Sequence, residues 1–360
     1  MSKFISSIWD YGYVSKNENN HDIYRWLGKL PPELVRDLIE LYSDEGDDVL
    51  ANFSGSGTVA LECKLSNRNC YAVDSNPLSV LLSNSKITNP KLNIKEFFNH
   101  LETFKSGSNY KMSDFENKWF TKHSYLKLVN LKEAIDNYDC SKNAKNFLNV
   151  VFSSVVKKSS KVDPRSINHI VTHKNYKEVD PFKLFEASLE KSFKTNTELK
   201  KIFSKSICKV VHGDARNIKL ESKSIDFIIS HPPYLGYIDY SNITKLETYF
   251  LREEYQKIKN SDISTNNLNK FLEDMDMVVN EISRVLKPDK FCAMIIGDNR
   301  KNGKIIPASS GLIELYNKNN LELIDIFIWK LNKKAGMNVK RHGNHIDHNY
   351  IHILKKPNVI

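Results

Sequence analysis

A doubly wound α/β fold, with a mostly parallel sheet and helices on both faces, is predicted by three features of the 360-residue sequence. Short apolar runs bounded by turn residues alternate with stretches of helical periodicity. A glycine-bearing turn, Phe53-Ser54-Gly55-Ser56-Gly57-Thr58, follows the first of these runs and opens a helical segment. A later run stops on Pro232-Pro233, where a paired strand must end because proline cannot donate to the ladder.

Seven runs read as strands: Asp48–Phe53, Cys70–Asp74, Cys208–His212, Ile225–Ser230, Phe291–Gly297, Leu323–Trp329 and Asn349–Leu354. A helix is expected over Pro32–Tyr42, with proline in its first turn and Leu34, Leu38 and Leu41 on one face. Another is expected over Met275–Leu286, where Met275, Val278, Val279, Ile282 and Leu286 form a stripe. No helical pattern separates the last two strands, so they should form an antiparallel pair at one edge. The region 83–207 breaks the alternation. It reads as a mainly helical insertion, with helices over Asn93–Thr103, Lys122–Tyr138 and Asn143–Lys157, then a basic, weakly periodic segment, Val156–Lys177. The chain therefore divides into 1–82, which carries the glycine turn, the insertion 83–207, and 208–360. The stretch Asn260–Lys270 reads as a polar loop.

Composition bounds the function. The net charge of +10 favours a polyanionic partner, because Lys and Arg release counterions on meeting phosphates. No run of about 18 apolar residues predicts a membrane helix, and the first residues lack the basic-then-apolar pattern of a secretory signal, so a cytoplasmic location is expected. The five cysteines are scattered, with no C-x-x-C pair, and read as reduced thiols. His342, His345 and His348 recur at every third position and share no strand face, so they read as a loop and no metal site is expected.

The glycine turn suits a bound nucleoside. Glycines let the backbone approach a ligand, and the helix start offers free N–H groups. The second strand ends in Asp74, where an acid can take ribose hydroxyls. Val59-Ala60 stands where a third glycine would pack against a pyrophosphate, which fits S-adenosylmethionine better than NAD. Asp214, which closes the third strand, can accept from an adenine amino group.

The proline edge suits amine chemistry. An exocyclic amine on a nucleobase is a poor nucleophile because its lone pair is delocalised into the ring. Holding both of its hydrogens in acceptors aims that lone pair at a methyl donor. The Pro232 carbonyl can be one acceptor and the side chain at 231 the other, while Tyr234 can stack on a base flipped from the duplex. Positioning and desolvation then do most of the work.

With these residues the chain resembles the S-adenosylmethionine-dependent amino-methyltransferases of DNA, the N4-cytosine and N6-adenine group. FSGSGT (Phe53–Thr58), VDSNP (Val73–Pro77), the preceding segment His21–Pro32, SHPPY (Ser230–Tyr234), EISRVLK (Glu281–Lys287) and Ile295–Pro307 each match a family element. The chain departs from the pattern at Ala51-Asn52, where the family usually has Asp-Pro, and at His231, where it usually has Asp, Asn or Ser. The resemblance implies a Rossmann-like class I methyltransferase fold, a seven-stranded, mostly parallel sheet with an antiparallel last strand. It implies S-adenosylmethionine as cofactor, bound by Lys29, Phe53, Ser54, Gly55, Ser56, Gly57, Thr58, Asp74, Ser75, Asn76, Asp214 and Ala215. Ser230, His231, Pro232, Pro233 and Tyr234 would form the catalytic edge.

A region placed between the cofactor turn and Pro-Pro-Tyr often reads DNA sequence in this family. Lys157, Lys158, Lys161, Arg165 and Lys174 would then meet phosphates, Asn168, His169 and His173 base edges, and Tyr237 and Tyr240 the base pocket. The expected activity is site-specific methylation of double-stranded DNA, at N4 of cytosine, within a restriction-modification system. A cognate restriction endonuclease is a candidate partner, and the protein is expected as a monomer or dimer. N6 of adenine is the alternative; a tRNA guanine-N2 methyltransferase and a DNA-binding relative without catalysis are further ones. A neutral imidazole keeps one acceptor nitrogen, so activity through His231 is expected to fall from about pH 8 to about pH 5, the ordinary histidine range.

Overall fold

A computed structural model describes residues 5–11, 21–105, 110–166, 169–301, 304–331 and 348–358. Its strands are β1 (Ile5–Trp9), β2 (Asp48–Ala51), β3 (Asn69–Asp74), β4 (Cys208–His212), β5 (Ile225–Ser230), β6 (Leu286–Ile296), β7 (Asn299–Lys301), β8 (Lys304–Ile306), β9 (Glu322–Lys330) and β10 (His348–Lys355). Among the described residues, eight of them form one sheet in the order β1-β9-β10-β6-β5-β2-β3-β4, and β7 and β8 form a separate hairpin. Every pairing in the sheet is parallel except the two made by β10.

The sheet thus has one strand more than expected. β1 adds to β9 in parallel, with Trp9 stacked on Phe327 at 4.8 Å. β10 is antiparallel, as anticipated, but it lies between β6 and β9, and β1 takes the edge. β5 is buried at all six positions, which is why its sequence is a continuous apolar run rather than an alternating one.

The helices are α1 (Pro32–Tyr42), α2 (Thr58–Leu65), α3 (Pro77–Ile87), α4 (Ile94–Thr103), α5 (Asp114–Trp119), α6 (Lys122–Asn137), α7 (Lys142–Val156), α8 (Pro181–Leu199), α9 (Tyr240–Ile243), α10 (Lys245–Phe250), α11 (Tyr255–Ser261), α12 (Leu268–Val285) and α13 (Ala308–Lys318). α1 has the expected bounds, but its buried face is Leu34, Val35, Leu38 and Ile39, and Leu41 is exposed. α12 starts at Leu268, seven residues before the apolar stripe begins, because Asn267 caps it by accepting from the Lys270 N–H. α4 to α8 make the segment between β3 and β4 mainly helical. α7 is buried nearly all round, through Phe147, Leu148, Val150, Val151, Phe152, Val155 and Val156, and is sandwiched between α3 and the pair α6 and α8. The same apolar cluster takes in Ile23, Tyr24 and Trp26, Leu78 and Leu82 of α3, and Ile243, Leu246 and Phe250 of α9 and α10.

The chain runs β2-β3-β4 toward one edge, then returns to β5 on the other side of β2. The strand order therefore reverses between β2 and β5, and a crevice opens at their carboxyl ends, where ligands bind in open α/β sheets.

Candidate active site

A cleft occupies that crevice. Its floor is the turn after β2. Gly55 and Gly57 both have positive φ, +51° and +73°, which puts the backbone in a conformation that side chains resist. A Cβ on Gly57 would stand 2.7 Å from the Ser83 Cα and Oγ, so α3 packs directly against the turn. Gly57→Ala is expected to destabilise the fold by about 2 kcal/mol or more, read as a lower urea midpoint, because positive φ and a backbone collision add. Four bonds hold the turn: Ser54 N–H to the Val73 carbonyl, Ser79 Oγ and Lys86 Nζ to the carbonyls of Gly55 and Ser56, and Ser54 Oγ against Ser83 Oγ. Lys86 is fully buried, and burial pulls its ammonium down to about 7.

Asp74 ends β3 and faces the same cleft. Its Oδ2 accepts from the Gly55 N–H at 2.7 Å and its Oδ1 from the Asn76 N–H at 2.9 Å. Burial raises its carboxyl above the usual range, the two N–H bonds oppose that, and nearby Asp262 adds to it. Asn76 caps α3 and donates to Thr244 Oγ1, while Ser75 accepts at its carbonyl from His212. Asp214 and Ala215 line the end beyond β4; the Asp214 carboxylate is gripped by Arg216 through two nitrogens, and Arg216 also bonds Asp274.

Two segments cover the cleft. Residues 21–31 lie over one side, with Trp26, Gly28, Lys29 and Leu30 in its wall. This strap is pinned to α2 by His21 Nε2 against Glu62 Oε1 at 2.9 Å, both side chains fully buried, and Glu62 Oε2 also accepts from Arg36. On the other side α11 and the residues after it contribute Ile258, Ser261, Asp262 and Ile263. The stretch expected as a polar loop is thus cleft wall. It is tied to the turn after Pro-Pro-Tyr by Asp262 accepting from the Ser241 N–H and Thr265 from the Gly236 N–H.

His231 and Pro233 form the cleft wall at the end of β5. Pro232 is buried and Tyr234 half-buried. His231 Nε2 and the Tyr234 hydroxyl are 3.0 Å apart, and the two rings meet edge to face at 5.3 Å. Burial lowers the His231 imidazole to about 4. This corrects the expected pH dependence: the ring stays neutral through the ordinary histidine range, and its protonation falls near pH 4. Ser230 is buried within the sheet, outside the cleft lining, and its Oγ has no partner.

A profile for DNA methylases matches residues 1–85, the stretch that supplies the strap, the glycine turn and Asp74. The chain is also similar to the Type II methyltransferase M.MvaI of Kocuria varians, 21% identical, with 93% of this chain and 89% of that one covered. These matches make the chain similar to the amino-methyltransferases of DNA. A shorter stretch is similar to the Type II methyltransferase M.XycI of Xanthomonas campestris pv. cyanopsidis, 39% identical over 64 residues, covering 18% of this chain and 21% of that one. Among solved structures, a SAM-dependent methyltransferase of Methanosarcina mazei aligns with a TM-score of 0.38 at 11% identity, covering 89% of this chain and 97% of that one.

The cleft fits S-adenosylmethionine. A glycine cradle that a Cβ would fill, a carboxylate at the end of β3 and an apolar wall suit a nucleoside carrying no phosphate. Of the twelve residues expected at the cofactor, eleven line this one cleft, and Gly57 lies behind it as the turn's hinge. Trp26, from the His21–Pro32 segment that matches a family element, also lines it, as do Asn52 and Asp262, which were not expected there. A repeated pattern marks none of them; each arrives through tertiary packing.

The residues expected at nucleic acid divide. Tyr240 is cleft wall instead, because the turn after Tyr234 folds it back to stack on Trp26 at 5.7 Å, with its hydroxyl donating to the Leu27 carbonyl. Tyr237 packs beside Tyr234 and against the helical cluster. Lys157 pairs with buried Glu247 at 3.2 Å, Arg165 pairs with Asp163, and Lys161 donates to the Asn117 carbonyl. Lys158, His169 and Lys174 are exposed. Asn168 and most of the histidine-rich stretch before β10 lie outside the described residues, among which no group of three or more metal-ligating side chains occurs and no helix is long and apolar enough to cross a membrane.

Proposed function

We propose that the protein acts on the exocyclic amine of a base flipped from double-stranded DNA, N4 of cytosine first, as the modification partner in a restriction-modification system. The observation that carries this reading is that His231 and Pro233, at the end of β5, stand in the wall of the cofactor cleft, with the Tyr234 hydroxyl 3.0 Å from His231 Nε2. S-adenosylmethionine supplies an electrophilic methyl group on a sulfonium. The chain's own residues then do the positioning. The Pro232 carbonyl accepts one amine hydrogen and His231 the other. When Nε2–H donates to the Tyr234 oxygen, Nδ1 is left as the ring's acceptor. Tyr234 offers its face to the flipped base. Trp26 and Tyr240 exclude water from one side of the cleft, and the α11 segment does so from the other.

The net charge of +10 and the exposed Lys158 and Lys174 support a DNA partner, contacting phosphates rather than reading sequence. The Type II methyltransferases among the relatives support the restriction-modification setting. The test is to incubate the protein with labelled methyl donor and unmethylated DNA or tRNA, digest, and identify the modified nucleoside by mass spectrometry. N4-methylcytosine in DNA is the expected product. N6-methyladenine would reassign the base, and label confined to tRNA would overturn the reading.

A further inference from the structure

Asn52 follows β2 directly, at the point where the strand order reverses. Its side chain is fully buried and lines the cofactor cleft. Both ends of its amide, Oδ1 and Nδ2, lack a hydrogen-bond partner. In the other buried asparagines with a bare oxygen, Asn149, Asn196 and Asn349, only that one end of the amide is orphaned, and Asn149 and Asn196 donate through nitrogen to the carbonyls of Lys145 and Ser85. An amide buried with neither end satisfied costs stability, so a chain that keeps one has a use for it.

The order of the sheet says which end of the cofactor that use concerns. Along the carboxyl ends the sequence is β5, β2, β3, β4. The methyl group must lie toward His231 and Pro233 on β5, where the amine is held. Asp74 on β3 and Asp214 after β4 therefore face the nucleoside, and the amino-acid tail belongs beside β2 and β5. Asp74 is already engaged by two backbone N–H groups and Asp214 by Arg216. At the tail end position 51 is alanine and supplies no charge. Lys29, on the strap, is a cation in the same lining.

We propose that the Asn52 amide holds the amino-acid end of S-adenosylmethionine. Oδ1 accepts from the α-ammonium and Nδ2 donates to the α-carboxylate, so one neutral side chain answers both charges of a zwitterion, with Lys29 as a second partner for the carboxylate. This rests on S-adenosylmethionine being the cofactor.

The experiment measures binding by calorimetry for the wild type and Asn52→Ala, with S-adenosylhomocysteine and with 5′-methylthioadenosine, which has the nucleoside and sulfur but no amino acid. Asn52→Ala should weaken S-adenosylhomocysteine by about 10-fold or more and leave 5′-methylthioadenosine within about 2-fold. The ligand-free melting temperature should not fall, since the variant discards an unpaired buried amide. Unchanged S-adenosylhomocysteine affinity, or equal weakening of both ligands, would overturn the assignment. A wild type that binds neither ligand would overturn the cofactor itself. Should Asn52→Ala not fold, Asn52→Ser is read by the same comparison.

Discussion

Replacing His231 with leucine is expected to slow methyl transfer by about 100- to 1,000-fold while S-adenosylmethionine affinity stays within about 3-fold. The imidazole stands in the cleft wall at the end of β5, the strand beside β2 and its glycine turn. In the proposed role it holds the amine, so the rate should respond more than cofactor binding. Asn at 231 keeps a short acceptor and should recover much of the rate. Tyr234→Phe removes the 3.0 Å partner of Nε2, so the ring loses the bond that selects its tautomer, and a smaller loss should follow. The pH profile separates this from a purely structural role. Burial holds the His231 pKa at about 4, so the wild-type single-turnover rate should be flat in this group from pH 8 to about 5 and decline toward 4. A leucine variant with wild-type single-turnover rates would sink the proposal.

Acid should also unfold the protein earlier than its carboxylates alone would require. His21, His231 and His352 are all held neutral by burial, each lowered from 6.5 to about 4. In the unfolded chain they titrate near 6.5, so between pH 6.5 and 4 the unfolded state binds more protons, and stability drops as pH falls through that window. For His21 and His352, 1% and 2% exposed, the loss is about 3 kcal/mol each by pH 4, a large part of the 5–15 kcal/mol that holds a typical domain. His352 Nδ1 and the Tyr316 hydroxyl are 3.0 Å apart, and His21 bonds Glu62, whose charge opposes the depression without cancelling it. Urea midpoints at pH 7.0, 5.5 and 4.5 should fall in that order, and His352→Phe should flatten the trend. Midpoints equal across the three pH values would refute it.

The central strand β5 was legible because it is buried at every position, and Ile225–Ser230 has the bounds expected from its apolar run. Cys208–His212, at the sheet edge and only partly covered, also has its expected bounds. β1 was not legible: ISSIW is short, with two serines among its five residues, and it pairs with β9, where Trp9 lies on Phe327 from the far end of the chain. At the site, the glycine turn and Asp74 are local signals, one a turn and the other a strand end. Trp26 and Asp262 reach the same cleft through a strap and a helix whose positions depend on contacts that no short window contains. Tyr240, an aromatic just past Pro-Pro-Tyr, also depends on tertiary contacts: it lines the cleft by stacking on Trp26. Ala51-Asn52 read as a simple departure, since sequence reveals neither that Asn52 is buried nor that its amide is unpaired.

The segment between β3 and β4 has no boundary in the core. Phe147, Phe152 and Val155 of α7 share a cluster with Trp26 of the strap, Leu78 and Leu82 of α3, and Leu246 and Phe250 of α10. It is therefore not a cassette. Transplanting 83–207 onto another sheet would strip cover from the strap and from the helices after Pro-Pro-Tyr, both of which shape the catalytic cleft. A new target preference would have to be reached by changing exposed side chains in place rather than by exchanging the segment whole.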